Sequence, residues 1–166
     1  MAAGDISVIS EAAGVRKYEV ASGATAINPG EPVNFLPGYT AGTAGTNTVV
    51  VLTDGKPLIG TDSFRGIAAS AGTHSSTAAG TVNVIVPIPW NTRIRGKAAT
   101  STNVDTSAEL TGLLGDTVTF DLSGSTYTID EDDAAAAAGL MIIGGDTVKN
   151  TLDVVVDGRA MRNDVS

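Results

Sequence analysis

The chain has 166 residues, 10 of them basic and 18 acidic, so its formal net charge is −8. This length is typical of one domain that buries about two thirds of its unfolded surface, and an apolar fraction of 42% is sufficient for a core. The absence of cysteine excludes disulfide scaffolds, thiol nucleophiles and cysteine-ligated metal sites. The acidic balance argues against a general binder of nucleic acid or of anionic membranes, since both present negative charge.

The first residues do not match a targeting signal. The first 14 residues lack the basic and apolar regions of a secretory signal, and no stretch is long and apolar enough for a transmembrane helix. We therefore expect synthesis in the cytoplasm. Residues 1–13 also lack a strong strand pattern, and we predict an N-terminal arm that could order only on a partner.

Short alternating runs between turn residues dominate the remainder, 14–166, and predict an all-β domain, a barrel or sandwich of about ten short strands with long Gly/Thr/Ala-rich loops. In one run, Val82, Val84 and Val86 share a face because successive strand side chains point to opposite sides. Asp54-Gly55 predicts a two-residue hairpin turn, and Ser123-Gly124-Ser125 a three-residue one. The predicted strands are 14–20, 32–36, 48–53, 64–69, 81–88, 92–98, 117–122, 126–130, 139–144 and 152–156.

Two features stand out within the second half of the chain. Residues 98–148 contain nine acids and no Lys or Arg, and we interpret them as an acidic β extension. Within them, residues 130–139 place acids before five alanines and a glycine, which is compatible with one helical turn or with an irregular loop. The prediction therefore allows at most one short helix.

Three basic residues precede this acidic segment. Arg93, Arg95 and Lys97 alternate along one predicted strand and therefore share a face. They can form an ordinary solvated face, or a surface complementary to an acidic one on another copy or on a larger assembly.

The stretch Pro87-Ile88-Pro89-Trp90-Asn91 predicts a rigid apolar corner, because proline cannot donate to a strand ladder. Trp90 is the only tryptophan. It belongs either to the core or to an exposed subunit contact, where tryptophan is often an anchor. We take Trp90, Arg93, Arg95 and Lys97 as the candidate contact residues.

The residues that could carry chemistry are few. His74, the only histidine, lies in a small polar loop without a nucleophile motif, and a structural role is favoured. Residues 130–133 are all acidic and could attract Ca²⁺ or Mg²⁺, but they lack the spacing of an EF-hand, which favours a solvated turn. We predict no catalytic residue, no cofactor and no metal.

Several stretches resemble the small decoration, or cement, proteins of tailed-bacteriophage capsids. In that family a strand pair across a Gly/Pro turn, here residues 26–36, precedes short motifs. The motifs are Phe64-Arg65-Gly66-Ile67-Ala68-Ala69, Ala78-Ala79-Gly80-Thr81-Val82-Asn83-Val84 and Thr92-Arg93-Ile94-Arg95-Gly96-Lys97-Ala98. The resemblance covers residues 14–100 and implies a β domain, commonly trimeric, that binds the outer face of an assembled capsid and braces its capsomers.

Together these observations predict a structural virion protein on the capsid exterior rather than an enzyme. Its expected partners are the major capsid protein and further copies of itself, a trimer being favoured, with neither nucleic acid nor membrane. Two alternatives remain: another phage or cell-surface β module, such as a tail-tube or adhesin-like part, and, less favoured, an all-β hydrolase that uses carboxylates and a divalent ion.

Overall fold

A computed structural model describes residues 6–35, 48–132 and 137–161 of the protein. These ranges form two antiparallel sheets and one α-helix, which confirms the predicted all-β domain. The strands are β1 Ile6–Val8, β2 Gly14–Val20, β3 Pro32–Phe35, β4 Val49–Val51, β5 Phe64–Ala68, β6 Gly80–Val86, β7 Ile94–Lys97, β8 Thr117–Ser123, β9 Thr126–Asp130, β10 Leu140–Asp146 and β11 Thr151–Val156; the helix α1 spans Ser107–Leu113.

The larger sheet has six strands in the order β1-β7-β11-β10-β8-β9. It curls strongly, because the residues after β7 contact β9 at the other end of the strand order. Ala98 bridges to Ile129, and the Ala99 N–H donates to the Ile129 carbonyl at 2.8 Å. The interior of this curled sheet is filled by alternating apolar side chains. Its fully buried members include Ile94, Phe120 and Val154.

The smaller sheet has five strands in the order β2-β6-β5-β3-β4. It also curls, since Thr48 just before β4 bridges to Glu19 of β2. Arg65 covers one part of its core, with the guanidinium carbon 4.8 Å from the centre of the Phe35 ring and Nε donating to the Tyr18 hydroxyl at 2.7 Å. The predicted row of Val82, Val84 and Val86 is buried in this sheet.

The two sheets share their packing through β5. Phe64 and Ile67 belong to the core of the six-stranded sheet, whereas Ala68, the next residue along the strand, belongs to the core of the five-stranded one. The Phe64 ring lies 6.1 Å from that of Phe120, centre to centre. Because one strand serves both cores, the sheets form one folding unit.

The chain crosses between the sheets at two adjacent connections. Residues 9–13 lead from β1 in the larger sheet to β2 in the smaller, and residues 87–93 lead from β6 to β7. Thr92, which is fully buried, ties them together: its hydroxyl donates to the Glu11 carbonyl and accepts from the Ile88 N–H, each at 2.7 Å.

Two predicted features are corrected by these strands. The N-terminal arm over residues 1–13 is wrong for residues 6–8, which form β1 and pair with β7; Ile6 is 2% exposed, so the core holds this segment in place. The Asp54-Gly55 turn does not join two paired strands, because Lys56 bridges instead to Phe120 of β8.

The acidic segment 98–148 supplies α1, β8, β9 and β10, three of the six strands of the larger sheet. Its hairpin at Ser123-Gly124-Ser125 is confirmed by the pairing of β8 with β9. Because Ser123 lies opposite Thr126, the loop has two residues, Gly124 and Ser125, instead of the predicted three. The α-helix of the described ranges lies at 107–113. Of the segment 130–139, Asp130 ends β9, residues 131 and 132 form a bend, and 133–136 lie outside the described residues. No helix in the described ranges is long and apolar enough to cross a membrane.

Candidate interaction surface

The Pro-Trp corner is the crossover from β6 to β7, where the chain leaves one sheet for the other and needs no ladder donors. Trp90 has a φ of 60°, in the left-handed region that a bulky residue rarely adopts. Its N–H donates to the Val156 carbonyl at 3.0 Å, which fixes the corner to the end of β11. The Trp90 side chain is 51% exposed, so the structure places it at the surface and not in the core.

An open depression of about 320 Å³ lies beside Trp90 and is lined by Asp157, Gly158 and Arg159. The Asp157 carboxylate accepts from the Arg159 backbone N–H at 2.8 Å and from its guanidinium NH2 at 2.6 Å. The hydrogen bonds from Arg159 lower the pKa of Asp157, and the same carboxylate raises the pKa of Arg159. The charged wall of the depression is therefore held in one arrangement next to an aromatic side chain.

The predicted basic stripe carries an ion-pair cluster on the outer face of the larger sheet. Arg95 of β7 lies directly opposite Asp153 of β11 and donates to it from Nε at 2.6 Å and from NH2 at 2.9 Å. Arg93 donates to the same carboxylate at 2.6 Å. Burial would raise the pKa of Asp153, but the hydrogen bonds from Arg95 and Arg93 outweigh it, so that this pKa is lowered.

The candidate contact residues thus divide into two kinds. Arg93 and Arg95 share a face as predicted, but part of each guanidinium is engaged by Asp153 within the chain; their side chains remain 47% and 33% exposed. Lys97 is exposed and forms no ion pair within the described residues. Trp90 and Lys97 are therefore the members most open to a partner.

Sequence reasoning missed three residues of this surface: Asp153, Asp157 and Arg159. Asp153 had a visible signal, since it is a single charge within the otherwise apolar run Leu152-Asp153-Val154-Val155-Val156. A charge in the middle of a buried strand requires a partner. The pair Asp157 and Arg159 had no comparable signal, because an Asp-Gly-Arg sequence is ordinary in a turn.

His74 has a structural position. Its Nε2 lies 3.1 Å from the Ala24 carbonyl, and its ring packs so closely on Gly72 that a Cβ there would lie 2.8 Å from Nδ1. The half-buried ring therefore links the loop 70–80 to the turn after β2.

The acidic run 130–133 also makes local contacts. Glu131 is 5% exposed and accepts from the backbone N–H groups of Ala99 and Thr100, at 3.0 and 2.8 Å. Asp132 accepts from the side-chain amide of Asn103 at 3.1 Å. These carboxylates organise the turn that follows β7. In the ranges that the structure describes, no three acidic or histidine side chains are grouped as metal ligands would be; Asp133 lies outside these ranges.

A second depression, of about 380 Å³, separates β1 from the five-stranded sheet. Ile6, Val8, Pro29, Ile67 and Ile85 line most of it, and its walls contain no titratable side chain. Such a lining supplies apolar contact; its one side-chain hydroxyl, that of Ser7, has no His, Asp or Glu among the lining residues to act as its base.

The comparisons with known proteins add no relative to this description. No protein-family model matches the chain, and neither does any curated protein sequence.

Proposed function

We propose that this chain is a structural virion protein that binds the outer surface of an assembled tailed-phage capsid and stabilises it by bridging capsomers. Its partners would be the major capsid protein and further copies of itself, with a trimer favoured. The resemblance to capsid decoration proteins supports this function. Its three motif stretches overlap β5 and β6 of the smaller sheet and β7 of the larger one, and the last two flank the Pro-Trp corner in the chain.

The exposed side chain of Trp90 is the observation that carries the proposal. Aromatic residues make up only 4% of the chain, and most of the large apolar side chains are in the two cores. A half-exposed tryptophan on a corner fixed by two prolines and a backbone hydrogen bond is well suited to anchor an interface. Because the corner is already rigid, docking would immobilise little further backbone.

The construction of the domain agrees with a mechanical role. Both sheets curl around their own apolar cores, and the shared strand β5 joins them. A net charge of −8 disfavours adhesion to nucleic acid and other polyanions, which suits a protein on the outside of a particle filled with DNA. Many copies on a repeating lattice make even a modest single contact effective.

The test is binding to empty, DNA-free capsids from the particle with which the protein co-purifies, measured by co-sedimentation. We expect the native protein to bind and to raise the temperature at which the capsids disassemble. Trp90→Ala should weaken binding by about 30-fold, the loss typical of an interface anchor. Leu114→Ala is the matched control, since Leu114 is 48% exposed but lies after α1, away from the corner.

Two results would contradict the proposal. The first is a native protein that does not bind the capsids at any concentration at which it stays soluble. The second is binding that Trp90→Ala and Leu114→Ala reduce equally, which would show that the corner is not the anchor. Self-assembly of the protein into tubes without capsids would favour the tail-tube alternative instead.

A further inference from the structure

Two acidic side chains, one within β11 and one just after it, hold arginine side chains at the surface. Asp153 lies within β11, and Asp157 follows that strand in an extended conformation. Because side chains alternate along an extended chain, these two, four residues apart, point to the same side. Their side chains are only 1% and 7% exposed. Asp153 holds Arg93 and Arg95, and Asp157 holds Arg159.

The guanidinium groups are fixed but not saturated. Each guanidinium has five N–H donors, whereas the bonds to the two aspartates use no more than two nitrogens of any arginine. The side chains of Arg93, Arg95 and Arg159 are 47%, 33% and 66% exposed. Donors therefore remain available at the surface, in an arrangement that needs little further ordering.

The charge of this region is opposite to that of the chain. Its three arginines and Lys97, set against Asp153 and Asp157, leave a local charge of +2, and the nearby pair of Asp146 and Lys149 adds none. Since the whole chain carries −8, the rest carries −10. The depression beside Trp90 adjoins Arg159, which adds an aromatic surface to the positive one. We call Trp90, Arg93, Arg95 and Arg159 the arginine–tryptophan surface.

We propose that the arginine–tryptophan surface binds a short acidic segment of a partner protein, with carboxylates on the guanidinium groups and a neighbouring apolar side chain against Trp90. This assigns a ligand chemistry to the surface and does not depend on the partner being a capsid. Arginine presents paired N–H groups that match the two oxygens of a carboxylate, and prior fixation of the guanidinium favours that geometry.

A protein segment matches this surface better than a nucleic acid does. A polyanion extends beyond any one binding patch, and the rest of the chain, with its charge of −10, would repel it. A short acidic segment reaches only the local positive charge. A depression of about 320 Å³ has room for one or two amino-acid side chains. An apolar side chain of the segment can therefore lie against Trp90 while a neighbouring carboxylate reaches Arg159.

The only tryptophan of the chain reports on this site directly. The probe is a short peptide of alternating Glu and Leu, titrated into the native protein while the emission of Trp90 is recorded. The comparison peptide has Gln in place of Glu. We expect a saturable change in emission with the Glu peptide and binding at least about tenfold weaker with the Gln peptide, since hydrogen bonds between charged groups are lost. Raising the salt from about 50 to about 500 mM should weaken the Glu peptide further.

A paired variant locates the binding. Asp157→Asn with Arg159→Gln removes one pair of charges together, so no buried charge is left alone. Asn keeps the shape of Asp, and Gln is shorter than Arg and lacks its guanidinium. We expect about tenfold weaker binding of the Glu peptide. Lys149→Gln is the control, because it removes a positive charge from a side chain that is 70% exposed in the turn before β11.

Equal binding of the Glu and Gln peptides to the native protein would overturn the proposal, and so would the absence of any change in emission. Tighter binding of inorganic phosphate or of single-stranded DNA than of the Glu peptide would overturn the class of partner. Because these measurements use no capsid, they can fail while capsid binding succeeds, and the reverse is also possible.

Discussion

Replacing Asp153 by Asn removes the charge that holds two arginines on β7. The carboxylate accepts three hydrogen bonds, two from Arg95 and one from Arg93, and is 1% exposed. Removing one partner of a buried ion pair usually lowers the free energy of unfolding by about 3–5 kcal/mol, because the other charge is left unpaired. The arginine side chains are 47% and 33% exposed, so water replaces part of what they lose. We therefore expect the free energy of unfolding to fall by about 2–3 kcal/mol, or the melting temperature by about 5–10 °C in a chain of this size.

The assay is urea unfolding followed by far-ultraviolet circular dichroism at neutral pH, with the midpoint compared at constant slope. Asp146→Asn is the control: its carboxylate lies 4.0 Å from Lys149, whose side chain is 70% exposed, and accepts from the backbone N–H groups of Val148 and Lys149. The side-chain oxygen of Asn can still accept those two hydrogen bonds, so this change should cost less than about 1 kcal/mol. Equal midpoints for native protein and Asp153→Asn would refute the reasoning, because the three hydrogen bonds would then contribute nothing net.

The same variant predicts a pH dependence. The pKa of Asp153 is lower in the folded protein than in the unfolded chain, so its stabilisation is fully present above the ordinary carboxyl pKa of about 4 and is lost as the pH falls through the folded value. The difference in stability between native protein and Asp153→Asn should therefore shrink in acid. A difference that stays constant to about pH 2 would contradict the lowered pKa.

Two further predictions concern the crossover and the glycines. Thr92→Val removes both hydrogen bonds of the hydroxyl at the connections between the sheets and should lower the free energy of unfolding, measured in urea, by about 2–3 kcal/mol. Thr92→Ser keeps the hydroxyl and should cost less; an equal or larger loss would show that the methyl group matters at least as much as the hydroxyl. Gly66→Ala should cost more than about 2 kcal/mol, because Gly66 has a φ of 143° and its added Cβ would collide with the Ile85 carbonyl. Gly112→Ala, in open space on α1, should instead raise the free energy of unfolding by up to about 1 kcal/mol. A change of the same sign for both glycine variants would refute this comparison.

The alternation of apolar and polar residues was sufficient to predict ten of the eleven described strands. The predicted ranges 14–20 and 126–130 coincide with β2 and β9. β9 alternates along its whole length, and β2 does so in its second half, where Tyr18 and Val20 are buried. β1 was missed since it has only three residues. The helix α1 was missed although Thr106 and Glu109 form a capping box, because its seven residues bury no side chain and give no helical pattern.

The candidate surface could be predicted only in part. That Arg93 and Arg95 share a face follows from their spacing, and the exposed position of Trp90 was one of two alternatives. The partner of the arginines was not predictable, because Asp153 is 58 residues from Arg95 and meets it only through the pairing of β7 with β11. Strand order depends on the whole set of side-chain contacts and has no local signal.

The strand order also has a consequence for synthesis on the ribosome. All five strands of the smaller sheet lie within residues 14–86, so they can pair as soon as that part of the chain has emerged. β1 is made first but pairs with β7, and β7 in turn lies between β1 and β11. The N-terminal strand must therefore wait until residue 156 has been translated before its sheet is complete, and its edge stays open to wrong pairing for most of that time.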